Sequence, residues 1–483
     1  MTFVLLIALL AVLVWGTIFV CRGSMLMGCA VYLPVAVCCG PEFFKMSVGP
    51  LPVTVDRLFV MALFGAYLIQ RRWGFTDPKP MCRADGFLFA LLLWLTISTF
   101  THDFTRTFKG TAPAYYRLFA GYLLPALAYW IARQSSLTER GLQLFHLCLA
   151  LFGGYLAFTG LCEITKTWPL VFPRYIADPN VGIHFGRARG PMLSAVSYGL
   201  FVAVCLFSLW AWSQGRGRLG RAALLFGMPP LLAALYFCYT RSVWIGVIAA
   251  FVLLALVTLG GAKRGVVIGA VVAGCLLAGS GLSDSIVGLK RDLSASQSRH
   301  STMMRASFAY ISYQMFLDRP LQGFGFGQFP IEKLAYLSDR NVDLNLEATR
   351  RHVHHSTFLS LLTEVGAIGL GLFLCVNAVW AATAFKLLRN PNAPVTARRH
   401  AALLIVAMGI YFSQLAFHDL TYKPQANVLI FLLAGITVGL SAQYSPFGAT
   451  SPAMLWQANS GGVKSGERRG VWQPSSELPW EGA

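Results

Sequence analysis

Thirteen stretches of this chain carry no Asp, Glu, Lys or Arg over lengths that approach or reach a bilayer crossing. They are 3–20, 23–39, 58–70, 86–100, 118–132, 142–162, 192–213, 222–240, 242–260, 265–279, 366–385, 401–417 and 425–442. A spanning helix needs about 20 mostly apolar residues, and about 17 suffice when the ends snorkel. The runs at 58, 86 and 118 are short and must borrow flanking residues, so twelve crossings is an alternative to thirteen. Composition closes the soluble options. Charged residues are 12% of the chain, against about 25% in an ordinary globular protein, while 56% of residues are hydrophobic and the mean hydropathy is +0.60. So few charges cannot build a soluble surface, which excludes a cytosolic enzyme, a secreted disulfide scaffold and a disordered chain. The expected class is an all-α polytopic integral membrane protein with about 12 to 13 transmembrane helices. The eleven cysteines fall mostly in or beside apolar runs, and none forms a C-x-x-C pair, so they read as small lipid-compatible side chains.

Connector charges give an orientation, because Lys and Arg are retained on the cytoplasmic side. Alternate connectors hold fifteen basic residues, among them Arg71, Arg133, Arg140, Arg216, Lys263 and Arg398. The opposite short connectors between Phe100 and Pro424 hold nine, including Arg117, Arg187, Arg189, Arg241 and Lys423. The first set is therefore expected in the cytoplasm. The chain then divides into an N-terminal transmembrane bundle (1–280), a large extracytoplasmic loop (281–354), C-terminal transmembrane helices (355–442) and a tail (443–483). The tail is rich in Ser, Gly and Pro and is expected to be disordered and cytoplasmic. The N-terminus turns apolar at once after Met1-Thr2 and lacks a basic leader segment, so it reads as a retained anchor. The net charge of +19 is spread between apolar runs. It suits membrane lipid and anionic substrates, and no soluble basic domain exists to hold nucleic acid.

Within the loop, Met304, Phe308, Ile311 and Met315 recur at helical spacing, which predicts an amphipathic helix at the membrane surface. It should stop at Asp318-Arg319-Pro320, since the residue before a proline is disfavoured in a helix. The run Gly323-Phe324-Gly325-Phe326-Gly327 follows this proline turn and opens no βαβ unit. It predicts tight turning and close backbone packing, and it is no nucleotide fingerprint. No Walker A run and no pair of soluble carboxylates is present. Pro229-Pro230 looks like a helix break.

Three features can carry chemistry. The first is the set of arginines at outer helix ends, Arg187, Arg189 and Arg241. A guanidinium fork matches phosphate oxygens bidentately, so convergent arginines suit a lipid-linked phosphate or pyrophosphate, the alternative being snorkelling to headgroups. The second is the cluster His352, His354 and His355. A neutral imidazole can take a proton from a hydroxyl nucleophile. No acid or cysteine adjoins the cluster to complete a metal shell, and a structural hydrogen bond is the plain alternative. The third is Glu364, an acid at membrane depth and thus a candidate functional group. Its alternatives are capping a neighbouring helix or pairing with an arginine. Nine residues past His355, it points away from that histidine.

These residues together resemble a known family. Arg305, then Pro320-Leu321-Gln322-Gly323-Phe324-Gly325, then His354-His355-Ser356-Thr357 running into Thr363-Glu364-Val365-Gly366, is similar to the signature of the O-antigen ligase and O-antigen polymerase superfamily. Thr240-Arg241-Ser242 and Arg189-Gly190-Pro191 resemble its upstream arginine motifs. The family usually has Asn after the key histidine; this chain has Ser356, whose hydroxyl can still cap the helix. The resemblance implies a C-type glycosyltransferase architecture in the bacterial inner membrane, with glycan transfer at its outer face. The donor it implies is a polyprenyl pyrophosphate-linked saccharide, the acceptor a glycolipid or glycan hydroxyl, and neither a metal nor another cofactor takes part. Arg187, Arg189, Arg241 and Arg305 would bind pyrophosphate, with His355 and Glu364 catalytic. Ligase, polymerase and protein O-oligosaccharyltransferase are all compatible with these residues, and a polysaccharide transporter is the alternative from another class.

Overall fold

The computed structural model describes residues 16, 23–48, 51–105, 107–108, 112–279, 295–339 and 342–444. The chain divides into a unit of residues 1–442 and a second of residues 443–483, of which 443 and 444 are described. The expected N-terminal anchor and the expected tail both lie outside the described residues.

The twelve other charge-free stretches all fall on helices. In chain order these are α1 (Met25–Cys38), α2 (Val55–Arg72), α3 (Arg83–Phe100), and α4 (Ala114–Leu118), which runs through a π-helical turn into α5 (Leu124–Gln134). There follow α6 (Glu139–Ile164), α7 (Ala195–Ser213), α8 (Gly217–Phe237), α9 (Arg241–Thr258) and α10 (Gly261–Gly279). After the loop helix α11 (Ala295–Asp318) and the short α12 (Phe329–Glu332) come α13 (Thr357–Arg389), α14 (Val395–Phe417) and α15 (Pro424–Gln443). An antiparallel pair, Met46–Val48 with Leu51–Val53, interrupts the pattern.

Among the described residues, seven helices are long and apolar enough to cross a membrane: α3, α6, α7, α8, α13, α14 and α15. The protein is a polytopic helical membrane protein. By contrast α1, at 14 residues, reaches only about 21 Å at 1.5 Å per residue, and α2 carries four charged side chains, Asp56, Arg57, Arg71 and Arg72. These helices occupy expected crossings without qualifying by length and composition. Pro229 and Pro230 do not break α8, which runs on to Phe237. A proline in a spanning helix is tolerated where neighbours satisfy the freed carbonyls.

Helices α7, α14 and α15 form the centre, with most of their side chains buried, and α14 packs against α9, α13 and α7. At the periphery, Phe87, Phe89, Leu93 and Ile97 of α3 and Leu225, Phe226 and Leu232 of α8 are exposed. Such apolar surface is what hydrocarbon covers.

The two classes of connector collect at opposite ends of the bundle. At one end Thr396 Oγ1 donates to Glu139 Oε2 (3.1 Å), Arg216 to Gln143 Oε1 (3.1 Å) and Arg399 to the Gln214 carbonyl (3.4 Å). At the other end lie the start of α9, the start of α13 and the end of α14, joined by Ser242, Thr357 and His418. On that second end, α11 presents the expected stripe: Phe308, Ile311 and Met315 are buried with Phe324, Phe329, Leu337 and Leu346, and Met304 packs at the edge. The helix ends at Asp318, as the proline requires.

Candidate functional site

The site is built around a break in α13. Gly366 has φ +67° and ψ −171°, which interrupts the helical hydrogen bonds for one turn. The glycine-rich turn after Pro320 fills that gap with its own backbone. Phe324 N–H donates to the Thr363 carbonyl (2.9 Å) and Gly325 N–H to the Glu364 carbonyl (2.8 Å), while Ala367 N–H donates to the Pro320 carbonyl (2.9 Å). Trp94 Nε1 donates to the Val365 carbonyl (3.0 Å), so α3 is tied into the same joint. Groups left without helical partners are thereby satisfied, as buried backbone requires. A Cβ at Gly323 would stand 2.6 Å from the Glu364 carbonyl carbon, and one at Gly366 would overlap the Leu321 carbonyl. Two motifs 40 residues apart in sequence are thus one backbone-to-backbone joint, the tight packing expected of the glycine run.

Glu364 is committed to this joint. Its carboxylate takes both arms of Arg117, at 3.1 and 3.3 Å, and both side chains are almost wholly buried. Arg117 also donates to Thr421 Oγ1 (2.7 Å) and lies between the rings of Tyr422 (4.1 Å) and Phe326 (5.0 Å). The acid expected to be catalytic therefore holds α13, α4 and the segment after α14 together, and it does not face His355.

The three clustered histidines separate into different environments. His354 is buried, its ring tilted by 31° against that of Phe329 at 3.7 Å, with Nε2 3.1 Å from Ser312 Oγ. His352 is exposed, its ring 6.4 Å from that of His355. His355 is half-buried, its ring edge-on to Phe308 at 5.2 Å, and its imidazole has no hydrogen-bond partner among the described residues. Burial, then the guanidinium of Arg305, then His352 and Lys333, pull it down to about 4, so it is neutral at pH 7. Lys333 is itself buried. Its ammonium donates to the Thr349 carbonyl (2.6 Å) and to the His352 carbonyl, and it lies over Phe308 and Phe329, so it fixes the segment that carries the histidines.

Among the predicted arginines, Arg305 is exposed on α11, with its guanidinium over the Phe417 ring at 5.9 Å and its charge acting on both His355 and His418. Arg241 is exposed at the start of α9. Its neighbour Ser242 lies with Oγ 3.1 Å from His418 Nε2. Neither arginine has an ion-pair partner among the described residues. Arg187 donates to the Tyr239 carbonyl at 3.4 Å. Arg189 is fully buried and occupied: its guanidinium donates to the carbonyls of Val181 (2.6 Å), Asp178 (2.8 Å) and Ile176 (3.0 Å), beside Glu163 at 3.8 Å. The structure thus brings Arg305, His355 and the Arg241–Ser242 corner toward His418, and leaves Arg189 and Glu364 outside that group. Ser356 does sit at the start of α13, but its hydroxyl donates to the Leu415 carbonyl (3.3 Å) instead of capping the helix.

His418 and Lys333 are the side chains that sequence reasoning missed. Burial, Arg305 and His355 pull His418 down to about 4. Its signal was available, as a histidine at the outward end of a run closing at Phe417, yet nothing in the spacing tied it to residues 60 positions earlier.

The fold and the site define a multi-pass helical membrane protein with a basic, histidine-bearing cluster at one end. Residues 226–374 match the family model described as O-antigen ligase, covering α8 to the first half of α13 with the glycine-rich turn between them. Over that segment, about a third of the chain, the protein is similar to the O-antigen ligase family. No match was found among curated protein sequences.

Proposed function

We propose that the chain is a glycosyltransferase that moves a saccharide from a polyprenyl pyrophosphate to a sugar hydroxyl at the extracytoplasmic face of the bacterial inner membrane. The observation that supports this reading is the convergence of exposed Arg305 with a half-open, unpartnered His355. In the proposed step the acceptor oxygen bonds to the anomeric carbon as the bond from that carbon to the phosphate oxygen breaks. The electron pair leaves on the pyrophosphate, where Arg305 and Arg241 take up the charge. His355 accepts the hydroxyl proton. Arg187 would add a further cation, and Arg189, whose guanidinium is taken up by three carbonyls, would serve the fold.

The arrangement contains its own control. Burial first and the uncompensated charge of Arg305 second depress the basicity of His355. A pyrophosphate on Arg305 cancels that field, so the imidazole becomes a stronger base only when donor is present. The test is single-turnover transfer by the full chain in nanodiscs. Replacement of His355 should slow transfer without weakening donor binding, and transfer at the wild-type rate would refute the role. Glycan analysis of a deletion strain assigns the acceptor: unattached lipid-linked chains mark a ligase, short chains a polymerase.

A further inference from the structure

A cavity of about 220 Å³ opens at the same end of the bundle, among α1, α2, α4, the 175–193 segment and the start of α15. Its wall carries both signs of charge, Arg57 and Lys423 with Asp56 and Glu42, and several tyrosines. Arg57 is only 7% exposed. Its Nη2 donates to Tyr116 Oη (2.6 Å) and its Nη1 to the Pro52 carbonyl, while Nε has no partner among the described residues. Asp56 Oδ1 is likewise buried without a partner. The Lys423 ammonium makes no hydrogen bond or ion pair within 4 Å among the described residues, and Glu42 is the opposing charge that acts on it. What the cavity offers a polar ligand or water is a mixed wall, the Lys423 ammonium with the Glu42 and Asp56 carboxylates and the tyrosine rings.

The cavity wall is held by groups already described. Arg189 gathers the 176–183 carbonyls behind Gly182 and Tyr175, and Tyr175 Oη donates to the Cys38 and Pro191 carbonyls, both at 3.1 Å. Tyr422 lines the cavity with one face and covers Arg117 with its ring. The cavity is therefore joined through Arg117 and Glu364 to the α13 joint below His355.

We infer that this cavity is a subsite for a neutral saccharide ring of the acceptor, an inference that rests on the proposed transfer reaction. A polyhydroxylated ring offers apolar C–H faces to tyrosines, hydroxyl protons to Asp56 and Glu42, and hydroxyl oxygens to Arg57 and Lys423. A pyrophosphate would meet two carboxylates as well as two cations, and a lipid tail would leave every one of these polar groups unmet. The volume lies below the roughly 300 to 1,000 Å³ of sites for drug-sized ligands, which suits a single ring.

The test uses the full chain in nanodiscs without donor, probed by saturation-transfer NMR with methyl glucoside, methyl galactoside and methyl N-acetylglucosaminide. At least one glycoside should receive saturation from the protein, and Asp56→Asn and Lys423→Gln should each reduce it at least fivefold, with inorganic pyrophosphate failing to displace it. Lys423→Gln removes no ion pair, so it remains informative if Asp56→Asn does not fold. Absence of saturation with all three glycosides, an undiminished signal in a folded variant, or displacement by pyrophosphate would overturn the inference. Because no donor is present, the outcomes separate. Glycoside binding in a chain that never transfers glycan breaks the reaction alone, and transfer without this binding breaks the subsite alone.

Discussion

Arg117 and Arg305 belong to the same end of the bundle, yet their surroundings are opposites. Arg117 is buried, both arms on the Glu364 carboxylate and a third bond to Thr421, with aromatic rings on its faces. Arg305 is exposed, lies over one ring, and acts electrostatically on two imidazoles. A permanent cation paired in the interior fixes helices; the same cation left open at a membrane surface can meet an anionic substrate. Charge type alone therefore does not distinguish the two arginines, and the number of bonds already made does.

The largest effect expected from this contrast is on rate. His355→Ala should lower single-turnover transfer about 10² to 10⁴-fold, as loss of a general base does, with donor affinity and thermal stability near wild type. Stability loss without rate loss per folded molecule would move His355 to the structural side of the comparison.

On that structural side, Glu364→Ala should cost roughly 3 to 5 kcal/mol, the range for breaking a buried pair and stranding its partner. Thermal unfolding in detergent reads this. A Glu364→Ala protein that melts with the wild type but transfers no glycan would make the acid catalytic after all. Smaller again is Arg305→Lys, which keeps charge and loses the fork. Donor binding should weaken by about 1 to 3 kcal/mol, measured by titration with a polyprenyl pyrophosphate, while unfolding is unchanged.

The smallest effect concerns pH. His355 and His418 are both held near 4, below the ordinary value of about 6.5 for histidine. Between those values an unfolded chain binds protons at these two positions that the native protein does not, so their contribution to stability falls as pH drops from about 6.5 to 4 and has no slope above. Melting curves from pH 7.5 to 4 should show this slope, reduced in His355→Gln and unchanged in His352→Ala.

Much of this was legible in the chain. Charge-free runs located twelve helices, the period of Met304, Phe308, Ile311 and Met315 gave the buried stripe of α11, and Pro320 gave its end. Those signals are local, set by apolar periodicity and backbone sterics. The sorting of the site residues was not local. Arg189 and Arg305 both look like outward arginines in sequence, and only the fold brings Glu163 and a set of carbonyls to the first while leaving the second open. Likewise Arg117 and Glu364 lie 247 residues apart, and their pairing follows from how α4 meets the broken helix. His418 escaped notice because the signals of the cluster run forward from Arg305 to Gly366 and stop short of it.

The central claim is that Arg305 couples the donor's charge to the basicity of His355. It is tested most directly by NMR of ring-labelled histidine in the full chain, with the His355 signal assigned by its loss in His355→Gln. Without ligand the imidazole should titrate near pH 4. With saturating inorganic pyrophosphate the midpoint should move upward, and in Arg305→Gln it should begin higher and respond less. A midpoint that pyrophosphate leaves unmoved in the wild type would contradict the account.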